Sequence, residues 1–274
     1  AGPPGPPPDA GPAVGSQVIS AQVTDPSLPI GLTVARSAQY DAATDRLELT
    51  TTYSTAGAAV RGPFLEVLPA GSDGGDCPLA AWSGTEQKRT TTSTSGVRSD
   101  CPAYAVQVPP IEPQGRAQVS VVVTGLGLDT ASGPDAVQTW LEDVSAATTE
   151  ALGGASVRAD QFPVQRTVGI WVQARSFSVA ILDEVPVEIG PIFPTGERGP
   201  AFFDSTRTTG EASLFLQQLA GGYDGVRLSG CSAVLITPQQ QVSALRPARS
   251  CVLAAEVGRA LSGEDSITIT GAGS

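Results

Sequence analysis

The sequence predicts an α+β protein in which an N-terminal immunoglobulin-like β-sandwich is followed by a smaller α+β domain. Three observations carry that expectation. Apolar residues alternate with a period of two along most of the first half, the period changes to a helical one just after Ser132, and the four cysteines fall into two local pairs, one in each half. At 274 residues and 41% hydrophobic content the chain can bury a sizeable core, and its length favours two domains. Residues 1–16, AGPPGPPPDAGPAVGS, combine proline and glycine without a Gly-X-Y period, which excludes a collagen helix and leaves a disordered or extended tether. The expected division is a tether at 1–16, a β-sandwich at 17–126 and an α+β domain at 127–274.

The segments 17–24, 31–40 and 46–54 alternate well, the last placing Leu47, Leu49, Thr51 and Tyr53 on one face, and Asp41 to Asp45 reads as a hairpin turn. Further strands are expected at 63–68, 79–82, 103–108 and 118–124, with turns at 71–75 and 109–115. Such a run of short strands describes an immunoglobulin-like sandwich. Cys77 and Cys101 are only 24 residues apart, too close for the inter-sheet bridge of antibody domains, so the likeness is one of architecture.

In the second half, 134–152 sets Val137, Trp140, Leu141, Val144, Thr148 and Ala151 at helical spacing between a Pro-Asp start and a Gly153-Gly154 stop. Strands are expected at 168–172, 177–182 and 185–189. A second helix is expected at 210–219, opened by a capping box of Thr208 and Glu211 and closed by Gly221-Gly222. Strands at 226–229 and 233–237, a third helix at 249–261 ended by Gly263, and a strand at 266–270 complete an irregular α+β pattern.

Composition removes whole classes of chemistry. The chain has no histidine, which excludes Ser-His-Asp and Cys-His catalysis and histidine-bearing zinc sites, and GxSxG and Walker motifs are absent. Lys88 is the sole lysine and sits in a Ser/Thr-rich stretch, 85–99, that reads as an exposed loop. Sixteen Lys+Arg against 27 Asp+Glu give a net charge of −11, which repels nucleic-acid phosphates and anionic headgroups, so nucleic acid is not an expected partner. No apolar run is long enough to cross a bilayer. The chain opens on Ala1 without a basic, apolar leader, and it is therefore read as a mature secreted form or an ectodomain. Methionine and asparagine are absent while Ala, Gly, Pro and Arg abound, a bias that points to a GC-rich bacterial genome.

The cysteines stand in no CxxC pair of the kind zinc sites use, and their spacing suits two local disulfides, Cys77 with Cys101 and Cys231 with Cys251. That usage implies an oxidising compartment outside the cytoplasm: secreted, periplasmic or cell-surface.

Carboxylates are the remaining candidates for chemistry. Leu126-Gly-Leu-Asp129-Thr130 and Phe202-Phe203-Asp204-Ser205 resemble the paired strand-end loops of aspartic proteases, whose facing carboxylates share a proton. Ala131 and Thr206 stand where that family has glycine, so Asp129 is read as a loop residue and Asp204 as a turn residue. Asp204-Ser-Thr206-Arg-Thr208 also resembles the D-x-S-x-S metal-binding loop of von Willebrand A domains, which makes Asp204, Thr206 and Thr208 candidate ligands for a hard cation such as Mg²⁺. The simpler role for Thr208 is a helix N-cap. Calcium candidates are Asp41, Asp45 and Glu48, or Asp73 and Asp76. Trp82, Trp140 and Trp171 could stack on sugars but read first as core residues.

The function expected is a non-catalytic binding or scaffolding module of a bacterial cell-envelope protein. It would take an envelope protein or a cell-wall glycan as partner and use no cofactor. The alternatives are an acid hydrolase with paired Asp/Glu and a cation-dependent adhesion module.

Overall fold

The computed structural model describes residues 18–71, 76–83, 88–90, 101–129, 131, 133–154, 157–158 and 160–271. The tether expected at 1–16, residue Asp73 and most of 85–99 lie outside them. The chain is built mainly of β-sheet, in several separate sheets with few helices, in keeping with an α+β class.

The first sheet is antiparallel. It contains β1 (Val18–Thr24), β2 (Leu32–Asp41), β3 (Arg46–Thr55), β8 (Arg116–Thr124) and β5 (Leu79–Ser83), in the order β1-β2-β3-β8-β5. Alternation sets its two faces. Leu32, Val34, Ala38 and Tyr40 on β2, Leu47, Leu49 and Tyr53 on β3, and Val121 and Val123 on β8 are buried, while Ser37, Gln39, Glu48 and Ser120 face out. Helix α1 (Pro134–Gly153) lies across the buried face. Its Val137, Trp140, Leu141 and Val144 join Leu47, Leu49, Val121 and Val123 in one core, each contributing about 1.5–3 kcal/mol by its burial.

A second antiparallel sheet, order β4-β7-β6, comprises β4 (Phe64–Val67), β6 (Lys88–Thr90) and β7 (Ala103–Val106). Lys88, read as part of an exposed loop, thus belongs to a strand paired with β7. All four residues of β4 are buried. Phe64 stacks on Tyr53 of β3 at 4.2 Å, whereas Leu65 and Val67 pack with Ala147 and Ala151 of α1. The outer edge of β4 is closed by side chains: Gln165 receives the Leu65 N–H and donates to the Leu65 carbonyl, and Thr148 receives the Val67 N–H.

The C-terminal half has a three-stranded sheet of β9 (Gly169–Ala174), β11 (Val187–Ile192) and β12 (Phe203–Asp204), with β11 in the middle. A four-stranded sheet follows the order β10 (Ser178–Ala180), β17 (Leu261–Thr270), β16 (Ala248–Val257), β13 (Val226–Gly230), in which only β10 and β17 run parallel. The hairpin β14 (Val234–Ile236) and β15 (Val242–Ala244), with the short helices α2 (Pro163–Arg166) and α3 (Leu214–Ala220), completes it. No helix among the described residues is long and apolar enough to cross a membrane.

Two expectations are overturned here. Residues 249–261 form no helix: Cys251, Leu253, Ala255 and Val257 point alternately into the core, and Gly258 and Arg259, at φ of +65° and +61°, turn the chain into β17. Helix α3 starts at Leu214, four residues later than expected at 210. Its N-cap is Ser213, whose hydroxyl receives the Leu216 N–H, so Thr208 caps nothing.

Both disulfides form as expected, Cys77–Cys101 with Cα atoms 5.3 Å apart and Cys231–Cys251 with 5.4 Å. Two intramolecular disulfides point to an oxidising, extracytoplasmic environment. One core cluster runs from Ile30 to Ile269 and draws on both halves. Backbone hydrogen bonds also join the halves, Ala58 N to Gly258 O at 3.1 Å and Arg61 N to Gln218 O at 2.9 Å.

Candidate functional site: a cleft between β1 and α1

Helix α1 changes support along its length, from the first sheet at Val137 to Val144 to β4 at Ala147 and Ala151. Beside that change, a cleft of about 780 Å³ opens between the C-terminal half of α1 and the chain from Val23 to Leu28. Leu28, Val34 and Leu152 give it an apolar lining, Glu142 and Glu150 stand on its helical rim, and Asp25 and Arg36 form its floor.

The floor is polar because β2 places Arg36 at an inward position, between Val34 and Ala38, where it is only 1% exposed. A buried guanidinium must be paired. Its Nε and Nη2 donate to Glu66 at 3.1 Å and 2.9–3.0 Å, and its Nη1 donates to Asp25 at 2.5 Å and to the Ser145 hydroxyl at 2.9 Å. Glu66, itself wholly buried on β4, also receives the Tyr53 hydroxyl at 2.7 Å, and Ser145 donates to the second Asp25 oxygen at 2.5 Å. The network therefore ties β2, β3, β4, α1 and the segment after β1 together. Burial alone would lower the Arg36 pKa, but the Glu66 and Asp25 carboxylates hold it above its ordinary value. Burial, reinforced by the Glu66 carboxylate, pushes the Tyr53 hydroxyl well above its ordinary range, so it stays a neutral donor.

Both Asp25 oxygens are thus accepting from Arg36 and Ser145, and both Glu66 oxygens accept from Arg36. Each carboxylate is engaged on both oxygens as an acceptor within the network. The arrangement suits shaping and charging a recess more than acid–base work.

The residues singled out from sequence lie elsewhere. Asp204 ends β12 and caps a short 3₁₀ turn, 205–207, receiving the Thr206 N–H at 3.0 Å and the Thr206 hydroxyl at 2.8 Å. Its other oxygen pairs with Arg175 at 2.5 Å, with Arg207 at 3.7 Å. Partial burial pushes the Asp204 pKa up, yet the two Thr206 donors and then the Arg175 and Arg207 charges hold it below the usual carboxylate range. Any stability from this shift is present above the ordinary carboxylate pKa and is lost as pH falls through the depressed one. The Thr208 hydroxyl is buried without a partner. Asp129 receives the Ala131 N–H at 2.9 Å in the loop between β8 and α1. Asp41 receives Ala43 N–H and the Thr44 hydroxyl, Asp45 the Tyr40 hydroxyl and Gly127 N–H, and Glu48 pairs with Arg46. Among the described residues, no three Cys, Asp or Glu side chains gather closely enough to hold a metal. Trp140 is buried with its indole N–H on the Pro69 carbonyl, and Trp171 lies over Gly190, its N–H on the Gly199 carbonyl.

Sequence reasoning missed Arg36, Glu66, Asp25 and Ser145. A signal was present: Arg36 occupies an inward position of an alternating strand, and Glu66 interrupts the apolar run Phe64-Leu65-Glu66-Val67. Charges at core positions call for one another. Asp25 and Ser145 carry no such mark.

No protein-family model matches the chain, and no curated protein matches it. Among solved structures, a polysaccharide lyase aligns at 7% identity and a TM-score of 0.20, over 88% of this chain and 32% of that one. This chain spans about a third of that protein's length, and at such a TM-score no conclusion about fold or activity rests on the likeness.

Proposed function

We propose that this protein is a non-catalytic binding or scaffolding module of a bacterial cell-envelope protein, secreted or displayed as an ectodomain, whose ligand enters the cleft between β1 and α1. The observation that carries the reading is the cleft itself: an apolar recess of about 780 Å³ whose floor charges satisfy one another, leaving its apolar walls as recognition surface. The two disulfides support the compartment. The reading takes the N-terminal half as an immunoglobulin-like frame, with the Tyr53–Phe64 stack joining its sheets, and an envelope protein or cell-wall glycan as partner.

The test uses Ala146→Trp, which sets an indole into the cleft from an exposed position of α1. Solubilised envelope proteins and peptidoglycan fragments are offered to the wild-type protein and the variant. Retention by the variant is expected to be weaker by roughly tenfold, about 1.4 kcal/mol, with no cleaved product from either protein. Cleavage of peptide or glycan that vanishes on Asp25→Asn would replace this reading with the acid hydrolase.

A further inference from the structure

Strand β1 ends the first sheet, so one of its edges has no partner strand among the described residues. The hydrogen bond from Asp25 N to Val34 O fixes which residues face that edge. In an antiparallel ladder, alternate residues turn both backbone groups toward the partner. Val23, Ala21 and Ile19 therefore bond to β2, and Ser20, Gln22 and Thr24 present their N–H and C=O groups outward. Sheet edges are ordinarily blunted by charge, proline, a bulge or a covering element. The sequence VISAQVT contains neither charge nor proline, and its pairing with β2 runs without a bulge. Edge strand β4 offers the contrast, since Gln165 and Thr148 close its edge. The outward groups of β1 have no such partners among the described residues.

The inner face of β1 is also incompletely covered. Ala21 and Val23 are half-buried, where Val34 and Ala38 on β2 are buried, and Val23 and Thr24 at the end of the strand border the cleft. An unpaired strand edge beside a helix, with an apolar recess between them, has the form of a β-augmentation site. Charge names the occupant. Glu142 and Glu150 are exposed on the helical rim, Asp25 lies at the floor, and the chain carries a net charge of −11. The two glutamates are about 12 Å apart along the helix, close to the roughly 13 Å spanned by four residues of strand. Two basic side chains four residues apart, with an apolar one midway, would point to the same side of an added strand and meet Glu142, the recess and Glu150. A second copy of this chain brings the same carboxylates, and an anionic lipid surface is repelled by them.

We propose that the free edge of β1 takes an extended peptide segment of a partner protein as a sixth strand, its basic-x-apolar-x-basic face turned into the groove beneath α1. This deepens the binding reading above and rests on it.

The probe is the capped heptapeptide Thr-Lys-Thr-Leu-Thr-Lys-Thr, with a control in which both lysines are glutamates. Binding is followed by amide NMR and by hydrogen exchange at Ser20, Gln22 and Thr24. The lysine peptide is expected to protect these three amides, and the control is not. Gln22→Pro removes an outward N–H that β2 does not use, a change edge strands tolerate, and should weaken binding at least roughly tenfold. Glu142→Lys with Glu150→Lys, at exposed positions, should reverse the preference between the two peptides whatever Gln22→Pro does to the fold. No protection at millimolar peptide overturns the proposal. So does binding that Ala146→Trp blocks but Gln22→Pro leaves unchanged, which keeps the cleft as a site and removes strand addition. Concentration-dependent protection of the same amides without peptide, with a dimer in sedimentation, would assign the edge to a second copy and overturn it. Binding of vesicles containing phosphatidylglycerol, blocked by Ala146→Trp, would assign the cleft to lipid and also overturn it.

Discussion

Arg36 sits as a charge on the otherwise uncharged buried face of the first sheet, and its surroundings show what a charge needs in order to stay there. Glu66 supplies a bidentate partner, Tyr53 fills a lone pair of that carboxylate, and Asp25 and Ser145 take the remaining guanidinium donor. Such a network is weak evidence of net stabilisation, since an apolar replacement of the whole group can be neutral or better, but removing one member strands the others. Glu66→Gln keeps the shape and deletes the charge opposite Arg36. It is expected to cost about 3–5 kcal/mol, whereas Tyr53→Phe, which leaves Glu66 one donor short, should cost about 1–3 kcal/mol. Urea unfolding at neutral pH measures both. The double change Arg36→Met with Glu66→Leu should cost less than Glu66→Gln alone, and a loss below about 1 kcal/mol for Glu66→Gln would show that the pair does not anchor the fold.

Elements were legible where local pattern and tertiary role agree. The hairpin of β2 and β3 follows from alternation around Asp41 to Asp45, and α1 from a helical stripe whose Val137, Trp140, Leu141 and Val144 are the residues that became buried. Strand β16 was not legible, because Ala254, Ala255, Glu256 and Leu253 favour a helix by intrinsic propensity while the sheet imposes a period of two. The start of α3 was misplaced for a related reason: a Thr208/Glu211 box and a Ser213 cap are both sound signals, and Gly210, at φ of +107°, sides with the later one. The cleft was less legible than either, since it is assembled from β1, β2 and α1 and no local pattern encodes it. Neighbouring residues of β16 give a test of its conformation. Leu253 is 2% exposed and Val252 46% exposed, so Leu253→Ala should cost about 2–5 kcal/mol and Val252→Ala well under 1 kcal/mol. Equal losses at both positions would contradict the strand.

At the scale of the whole molecule, the question is where the chain divides. The expected boundary between 126 and 127 falls between β8 and α1, and the apolar face of α1 fills the core under Leu47, Leu49, Val121 and Val123. The next stretch contributes as well. Val157 and Phe162 pack with Leu65 and Ala103, and Gln165 closes the edge of β4. A piece covering 17–126 would present to water the surface that α1 and this stretch cover, and it would leave the Leu65 and Val67 N–H groups without their side-chain acceptors. Each large apolar side chain so uncovered forfeits about 1.5–3 kcal/mol, so a few of them equal the 5–15 kcal/mol that holds an ordinary domain together. The expected outcome is that 17–126 shows no cooperative thermal transition, whereas 17–271, which restores α1, α2 and the rest of the shared core, unfolds in one, as calorimetry on the two oxidised pieces will show. A sharp two-state transition for 17–126 alone would place the boundary at 126 after all, with α1 a late addition to a sheet that stands without it.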